Sequence, residues 1–253
     1  MDVRAILFDL HHTLTETKTS VFEIIRIISG RLDFDLTSHS DEKLKDALDK
    51  SDRELMQYLV ENNIDYLWGG RDEDWLPSDR LFLEALGFRD VSDDAILEFE
   101  KAFKQITRDS DWEYFTDDAL QCVRSLYSMG YTLGICTRRS DNPKGLIERS
   151  KLDRIFKTIQ WSGVPGYAKP SPFTLLEAAK EIKVNPRHCI FVGNYVHADV
   201  EAALRCEMVP ILLTWANPDE ATKAPEECIV LEKPSDIVKW MQYQNPRPTS
   251  SGI

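Results

Sequence analysis

Residues 3–15 read VRAILFDLHHTLT, and this stretch is the strongest indication of the fold. Its first six residues form a short, mostly apolar run that stops abruptly at Asp9, which is typical of a buried parallel strand. Similar runs follow at residues 131–136, 189–192 and 209–214, and residues 157–161 form a weaker candidate. The chain therefore predicts a set of short parallel strands.

Helical patterns separate these strands. The apolar residues of 117–128 fall on one helical face, and residues 173–182 and 197–205 are further helical candidates. Strands that alternate with helices predict an α/β fold with a doubly wound, Rossmann-like parallel sheet. Such sheets bind ligands at the carboxyl ends of their strands, so we expect Asp9, Thr137 and Asn194 to share one site.

Residues 16–113 follow a different pattern, because apolar residues recur there at helical spacing and no convincing strand interrupts them. We interpret this part as an α-helical cap domain that would lie above the active end of the sheet like a lid. The predicted domains are a core of residues 1–15 and 114–243, a cap of residues 16–113 and a C-terminal tail of residues 244–253. The prolines, serines and glycine of the tail predict a frayed end.

The amino-acid composition disfavours several kinds of partner and site. Of the 253 residues, 42% are hydrophobic, which suffices for a sizeable core, and the net charge of −12 disfavours nucleic acid and anionic membranes as partners. The five cysteines form no CxxC pair, which argues against a zinc finger or a disulfide framework. No signal peptide is recognised, and no apolar stretch approaches the ~20 residues that span a bilayer. We therefore expect a cytoplasmic protein that acts on a small molecule, with its oligomeric state left open.

Four short segments carry the chemistry, and their order along the chain is informative. They are 8–15 (FDLHHTLT), 135–138 (ICTR), 169–172 (KPSP) and 191–199 (FVGNYVHAD). Together they resemble the haloacid dehalogenase superfamily of phosphatases, phosphonatases and dehalogenases. In that family Asp-x-Asp-x-Thr follows the first strand, Ser or Thr ends the second, Lys often precedes Pro, and Gly-Asp with a further Asp closes the last motif. The resemblance covers roughly residues 3–215, with the helical segment where the family places its cap.

The resemblance implies catalytic roles for four residues. Asp9 would be the nucleophile that forms a covalent aspartyl intermediate, and Lys169 would neutralise charge on the nucleophile and the substrate. Thr137 would hold the oxygens of the transferring group. His11 stands where the family's phosphatases have a second Asp, and its reference pKa of about 6.5 suits an acid or base near neutral pH.

The resemblance also implies binding residues. The residues expected to contact the substrate are Thr13, Thr137, Arg138 and Lys169. The residues expected to hold Mg²⁺ are Asp9, His11 through its backbone carbonyl, Asn194 and Asp199. Because Asn194 replaces an aspartate of the family pattern, the site has one formal negative charge fewer, and Mg²⁺ is expected to bind weakly or not at all.

These departures leave more than one function open. The leading prediction is a phosphatase-type hydrolase that uses Asp9 on a small phosphorylated or otherwise anionic metabolite. The replacements at His11 and Asn194 keep two alternatives: a metal-independent dehalogenase or phosphonatase-like hydrolase, and a catalytically silent binding protein of the same fold. The sequence selects neither the substrate nor the bond that is cleaved.

Overall fold

The structure is a computed structural model, and it describes residues 2–62, 71–107, 112–139, 142–164 and 166–244. The described residues divide into two compact units. The first unit contains the described parts of residues 1–16, 114–162 and 167–253, and the second contains those of residues 17–113 and 163–166. The predicted tail beyond residue 244 lies outside the described residues.

Eight strands are present in the described part of the chain. In chain order they are β1 (Ala5–Phe8), β2 (Thr15–Thr17), β3 (Glu113–Phe115), β4 (Thr132–Thr137), β5 (Phe156–Trp161), β6 (Cys189–Gly193), β7 (Val209–Leu213) and β8 (Ile229–Leu231). Six of them form one sheet in the order β5-β4-β1-β6-β7-β8, with parallel neighbours throughout. The strands β2 and β3 form a separate two-stranded sheet.

The strand order makes β1 the turning point of the sheet. The chain places β4 and β5 on one side of β1, and then β6, β7 and β8 on the other. At such a switch point the flanking connections leave the sheet in opposite directions, so a crevice opens beyond the carboxyl end of the central strand. In this chain, Asp9 is the residue that follows the carboxyl end of β1.

Both faces of the sheet are covered, which explains why β1 is apolar at every position. Ile6 and Phe8 belong to one apolar cluster, whereas Ala5 and Leu7 belong to another. All four side chains are fully buried. Because successive side chains of a strand point to opposite faces, a continuous apolar run is what a sheet buried on both sides requires.

Nine α-helices occur in the described residues. They are α1 (Val21–Ser29), α2 (Asp41–Glu61), α3 (Asp72–Ala85), α4 (Asp93–Thr107), α5 (Asp117–Ser128), α6 (Lys144–Arg149), α7 (Phe173–Ile182), α8 (Glu201–Arg205) and α9 (Pro234–Gln244). The first four make up the second unit, whose own core includes Ile24, Phe34, Phe82 and Phe99. The others belong to the first unit, where α5 and α9 cover one face of the sheet and α7 and α8 the other.

The predicted fold class is confirmed, since a parallel sheet flanked by helices is present. The five predicted strands correspond to β1, β4, β5, β6 and β7, and residues 117–128 and 173–182 are helical over the predicted ranges. The third helical candidate begins as a π-helical turn, Val196–Val200, and continues as α8. Within the described ranges, no helix has both the length and the hydropathy that crossing a bilayer requires.

Gly134 in β4 offers a test of how tightly the sheet packs. A Cβ at this position would lie 2.5 Å from Thr158 Cγ2 and 2.7 Å from Leu7 Cδ2. We expect Gly134→Ala to lower the free energy of unfolding by about 1–3 kcal/mol in urea denaturation, because a packed core resists added volume.

Gly145→Ala is the matched control. Gly145 is exposed in α6, where alanine is the better helix former, so its free energy of unfolding should stay the same or rise. Equal losses in the two variants would contradict the packing described for β4.

Candidate active site

The register of the sheet brings three strand ends together around Asp9. Phe8 pairs with Ile135 of β4 and with Val192 of β6. The backbone N–H of Asp9 donates to the carbonyl oxygen of Val192 at 2.9 Å. The residues that follow β1, β4 and β6 therefore start from one edge of the sheet, as the sequence predicts.

A buried lysine joins two carboxylates at this edge. Lys169 Nζ donates to Asp9 Oδ1 at 2.7 Å and to Asp199 Oδ1 at 2.5 Å. It also lies 5.1 Å from the centroid of the Phe191 ring, within the range of a cation–π contact. The side chain of Lys169 is only 3% exposed, so this charge is held almost entirely by its neighbours. We refer to Asp9, Lys169 and Asp199 as the ion triad.

Asp199 is fixed in place by the turn after β6. Its Oδ2 accepts hydrogen bonds from the backbone N–H groups of Asn194 at 2.9 Å and Tyr195 at 3.0 Å. Gly193 permits this approach, because a Cβ there would lie 2.3 Å from Cβ and Cγ of Asp199. Both oxygens of Asp199 are thus engaged, one by Lys169 and one by the backbone.

Burial sets the electrostatics of the ion triad. Burial raises the pKa of Asp9 to about 6, with Lys169 opposing this effect and Asp199 adding to it. Burial alone would lower the pKa of Lys169, but Asp199 and Asp9 together raise it. The lysine therefore stays charged, while the carboxyl group of Asp9 ionises close to neutral pH.

Asn194 is held by a second loop. Thr13 Oγ1 donates to Asn194 Oδ1 at 3.1 Å, and both residues are buried. The contact joins the loop after β1 to the turn after β6. The side-chain Nδ2 of Asn194 is buried without a hydrogen-bond partner in the part of the chain that the structure describes.

His11 and His12 form a stacked pair after Asp9. Their ring centroids are 3.9 Å apart with 30° between the planes, and the ring centroids of His12 and Trp215 lie 6.2 Å apart in an edge-on arrangement. His12 has φ +57°, a left-handed conformation that costs a non-glycine residue about 1–2 kcal/mol. His11 itself is exposed, which suits a group that exchanges protons with a substrate and with water.

The structure shows direct contacts between some of the residues that the sequence predicts for the site. It joins Asp9, Lys169 and Asp199 directly, and it pairs Thr13 with Asn194. Thr137 is buried at the end of β4, and the next residue, Arg138, is exposed. Sequence reasoning missed the role of Gly193, although a glycine at a strand end before Asn194 is a signal for a close approach.

The predicted Mg²⁺ site needs oxygen atoms that are free to bind a metal ion. No group of three or more His, Cys, Asp and Glu side chains in the described ranges is arranged to hold a metal ion. Both oxygens of Asp199 are occupied, and Asp9 already shares its charge with Lys169. Mg²⁺ binds oxygen ligands, but the oxygens of Asp199 are both engaged and the amide oxygen of Asn194 accepts from Thr13, so these two predicted ligands as arranged do not fit this ion.

Comparisons with known sequences identify relatives of the chain. A family model described as haloacid dehalogenase-like hydrolase matches residues 3–206. The chain is also 30% identical over 101 residues to a glyceraldehyde 3-phosphate phosphatase of Methanopyrus kandleri. That alignment covers 37% of this chain and 41% of the relative, so the chain spans about two fifths of that relative's length.

Solved structures give the same fold at low identity. A predicted phosphoglycolate phosphatase from Haemophilus somnus 129pt superposes with a TM-score of 0.66 at 16% identity, covering 96% of this chain and 99% of the other. The hydrolase YfnB from Bacillus subtilis, bound to magnesium, gives 0.65 at 17% identity, covering 96% and 100%. At these identities the similarity shows the fold alone.

Replacing Lys169 tests the ion triad. Lys169→Met leaves two buried carboxylates without their cation, so we expect a loss of about 3–5 kcal/mol in the free energy of unfolding at pH 7.5. The loss should shrink as the pH falls, because the carboxyl groups of the folded variant take up protons that neutralise them. Urea denaturation at several pH values measures this dependence.

Lys180→Met is the matched control, because Lys180 is exposed and forms an ion pair with Glu177 one helical turn away. Its effect on the free energy of unfolding should stay within about 0.5 kcal/mol. A loss in Lys169→Met that is equally small, or that does not vary with pH, would contradict the triad.

Proposed function

The chain belongs to the haloacid dehalogenase-like hydrolases, and from this premise we propose that Asp9 is the nucleophile of a phosphatase that acts on a small phosphorylated metabolite. The observation that carries this proposal is the buried carboxylate of Asp9, which lies at the switch point of the sheet and is held by Lys169. Such a position presents a single oriented carboxylate at the place where this kind of sheet binds ligands.

The first step forms a bond between a carboxylate oxygen of Asp9 and the phosphorus of the substrate. The bond from phosphorus to the leaving oxygen breaks, and that oxygen takes a proton from His11. Water then attacks the aspartyl phosphate and passes a proton to His11, the bond to Asp9 breaks, and inorganic phosphate departs. Positioning and charge stabilisation provide most of the catalysis in such transfers.

Lys169 has two tasks in this scheme. It holds Asp9 in one orientation, and its charge offsets the negative charge that accumulates around the transferred group. Asp199 keeps Lys169 in place and does not react, because backbone N–H groups and the lysine occupy its oxygens. Thr137 and Arg138, at the end of β4, are proposed to bind the oxygens of the transferring group.

A second candidate changes the bond but keeps the nucleophile. His11 and Asn194 both depart from the phosphatase pattern, and the side chains as arranged do not fit Mg²⁺, which favours attack on carbon in a dehalogenase-type reaction. Release of halide from haloacids in the absence of metal would support this candidate. Hydrolysis of phosphate monoesters with no halide release would exclude it.

Asp9→Asn tests the proposed nucleophile. We expect the hydrolysis of aryl phosphates and of a panel of phosphorylated metabolites to fall by roughly 1,000-fold or more, because an amide oxygen is a poor nucleophile. The control is Asp2→Asn, since Asp2 is an exposed carboxylate whose hydrogen bonds join it to Arg4. Equal activity in wild type and Asp9→Asn would disprove the proposed role.

The pH profile tests the ionisation state of Asp9. Only the ionised carboxylate attacks, and its folded-state pKa is raised to about 6 from an ordinary value of 3.8. The value of kcat/KM should therefore fall as the pH decreases through about 6. The profile should be repeated with aryl phosphates of different acidity. A fall in kcat/KM that is due to Asp9 stays at the same pH for every substrate, whereas one that is due to titration of the substrate moves with the substrate's pKa. A limb near pH 4 would contradict the raised pKa.

A further inference from the structure

The side chain of Asn194 has a defined orientation in the site. Its Oδ1 accepts a hydrogen bond from Thr13 Oγ1 at 3.1 Å, so the oxygen end of the amide is already engaged. Its Nδ2 is buried and has no partner among the described residues. A buried donor without a partner is destabilising by about 1–3 kcal/mol, so this N–H group favours a bound acceptor.

This orientation suits an anion and opposes a cation. The hydrogens of Nδ2 carry partial positive charge, which repels a metal ion and attracts an oxyanion. The position matters because Asn194 follows β6, and the backbone N–H of Asn194 anchors the Asp199 carboxylate that holds Lys169. The unpartnered donor therefore belongs to the turn that holds Asp199, one member of the ion triad.

The charge of the site is a separate consideration. Asp9 and Asp199 contribute two negative charges, and Lys169 contributes one positive charge that both carboxylates share. Asn194 stands where the family pattern has an aspartate, so the site has one formal negative charge fewer to hold a divalent cation. Asn194 instead offers a neutral N–H donor, which binds an oxyanion and not a cation.

We propose that Asn194 binds an oxygen of the substrate's anionic group through its side-chain N–H, and that the site holds this anion without a divalent cation. This inference rests on the proposed function and adds to it the way in which the transferring group is recognised. It replaces the predicted role of Asn194 as a metal ligand with that of an anion-binding residue. Thr13 is the positioning residue, because its hydroxyl donates to Oδ1 and leaves the buried Nδ2 without a partner among the described residues.

Inorganic phosphate is the probe for this proposal. Isothermal titration calorimetry on the full chain should show the same phosphate affinity in EDTA and in millimolar Mg²⁺. Asn194→Ala should weaken binding by roughly tenfold or more, because a hydrogen bond to a charged group is lost. Asn194→Asp matches the native residue in shape but replaces the donor with a charged acceptor, so it should bind phosphate only when Mg²⁺ is present.

Thr13→Val provides a second variant that leaves Asn194 unchanged. It keeps the shape of the side chain but removes the hydroxyl that fixes the amide, so phosphate binding should weaken and Mg²⁺ should begin to increase it. Titration of Mg²⁺ alone should show no saturable binding to the wild type and measurable binding to Asn194→Asp. Circular dichroism establishes that each variant is folded before it is titrated.

Three results would overturn the inference: phosphate binding by the wild type that requires Mg²⁺, unchanged affinity in Asn194→Ala, or no binding of phosphate by the wild type in either condition. These results are distinct from a failure of the proposed function. Full activity in Asp9→Asn would remove the nucleophile yet leave the metal-independent binding of phosphate intact, whereas Mg²⁺-dependent binding would leave the nucleophile intact.

Discussion

The buried ion triad of Asp9, Lys169 and Asp199 is the interaction on which the rest of the site depends. It joins residues separated by 160 positions in one contact and by 30 in the other, so the site exists only in the folded chain. Removing two carboxylates from water is costly, and the shared lysine is what offsets that cost. The turn after β6 and the loop after β1 are the remaining parts of the site. They hold these three charged groups in position.

The sheet supplies the constraint that makes the triad possible. Because β1 is buried on both faces between β4 and β6, its carboxyl end has one fixed position. The position of Asp9, the next residue, is fixed with it. The turn after β6 then approaches closely, since Gly193 leaves room for the carboxylate of Asp199. A raised pKa of Asp9 is the electrostatic consequence of this burial, and it brings the ionisation of the proposed nucleophile close to neutral pH.

Much of the fold could be predicted from the sequence, because apolar runs that end at polar residues are a strong signal for buried parallel strands. The strand β8 was missed since its three residues are too few for a periodic pattern, and α9 was missed because its start at Pro234 was not recognised. The residues of the ion triad could be named from the resemblance alone. The orientation of Asn194 could not, because which end of an amide is engaged depends on Thr13, 181 residues away in the chain.

The central claim is that Asp9 bonds covalently to the group it transfers. The most direct test is to quench the enzyme with acid during turnover of a phosphorylated substrate and to analyse its peptides by mass spectrometry. We expect a phosphoryl group on the peptide that contains Asp9, located at that residue by fragmentation. Turnover with a phosphoryl group on a different residue, or with no covalent species at any time point, would contradict it.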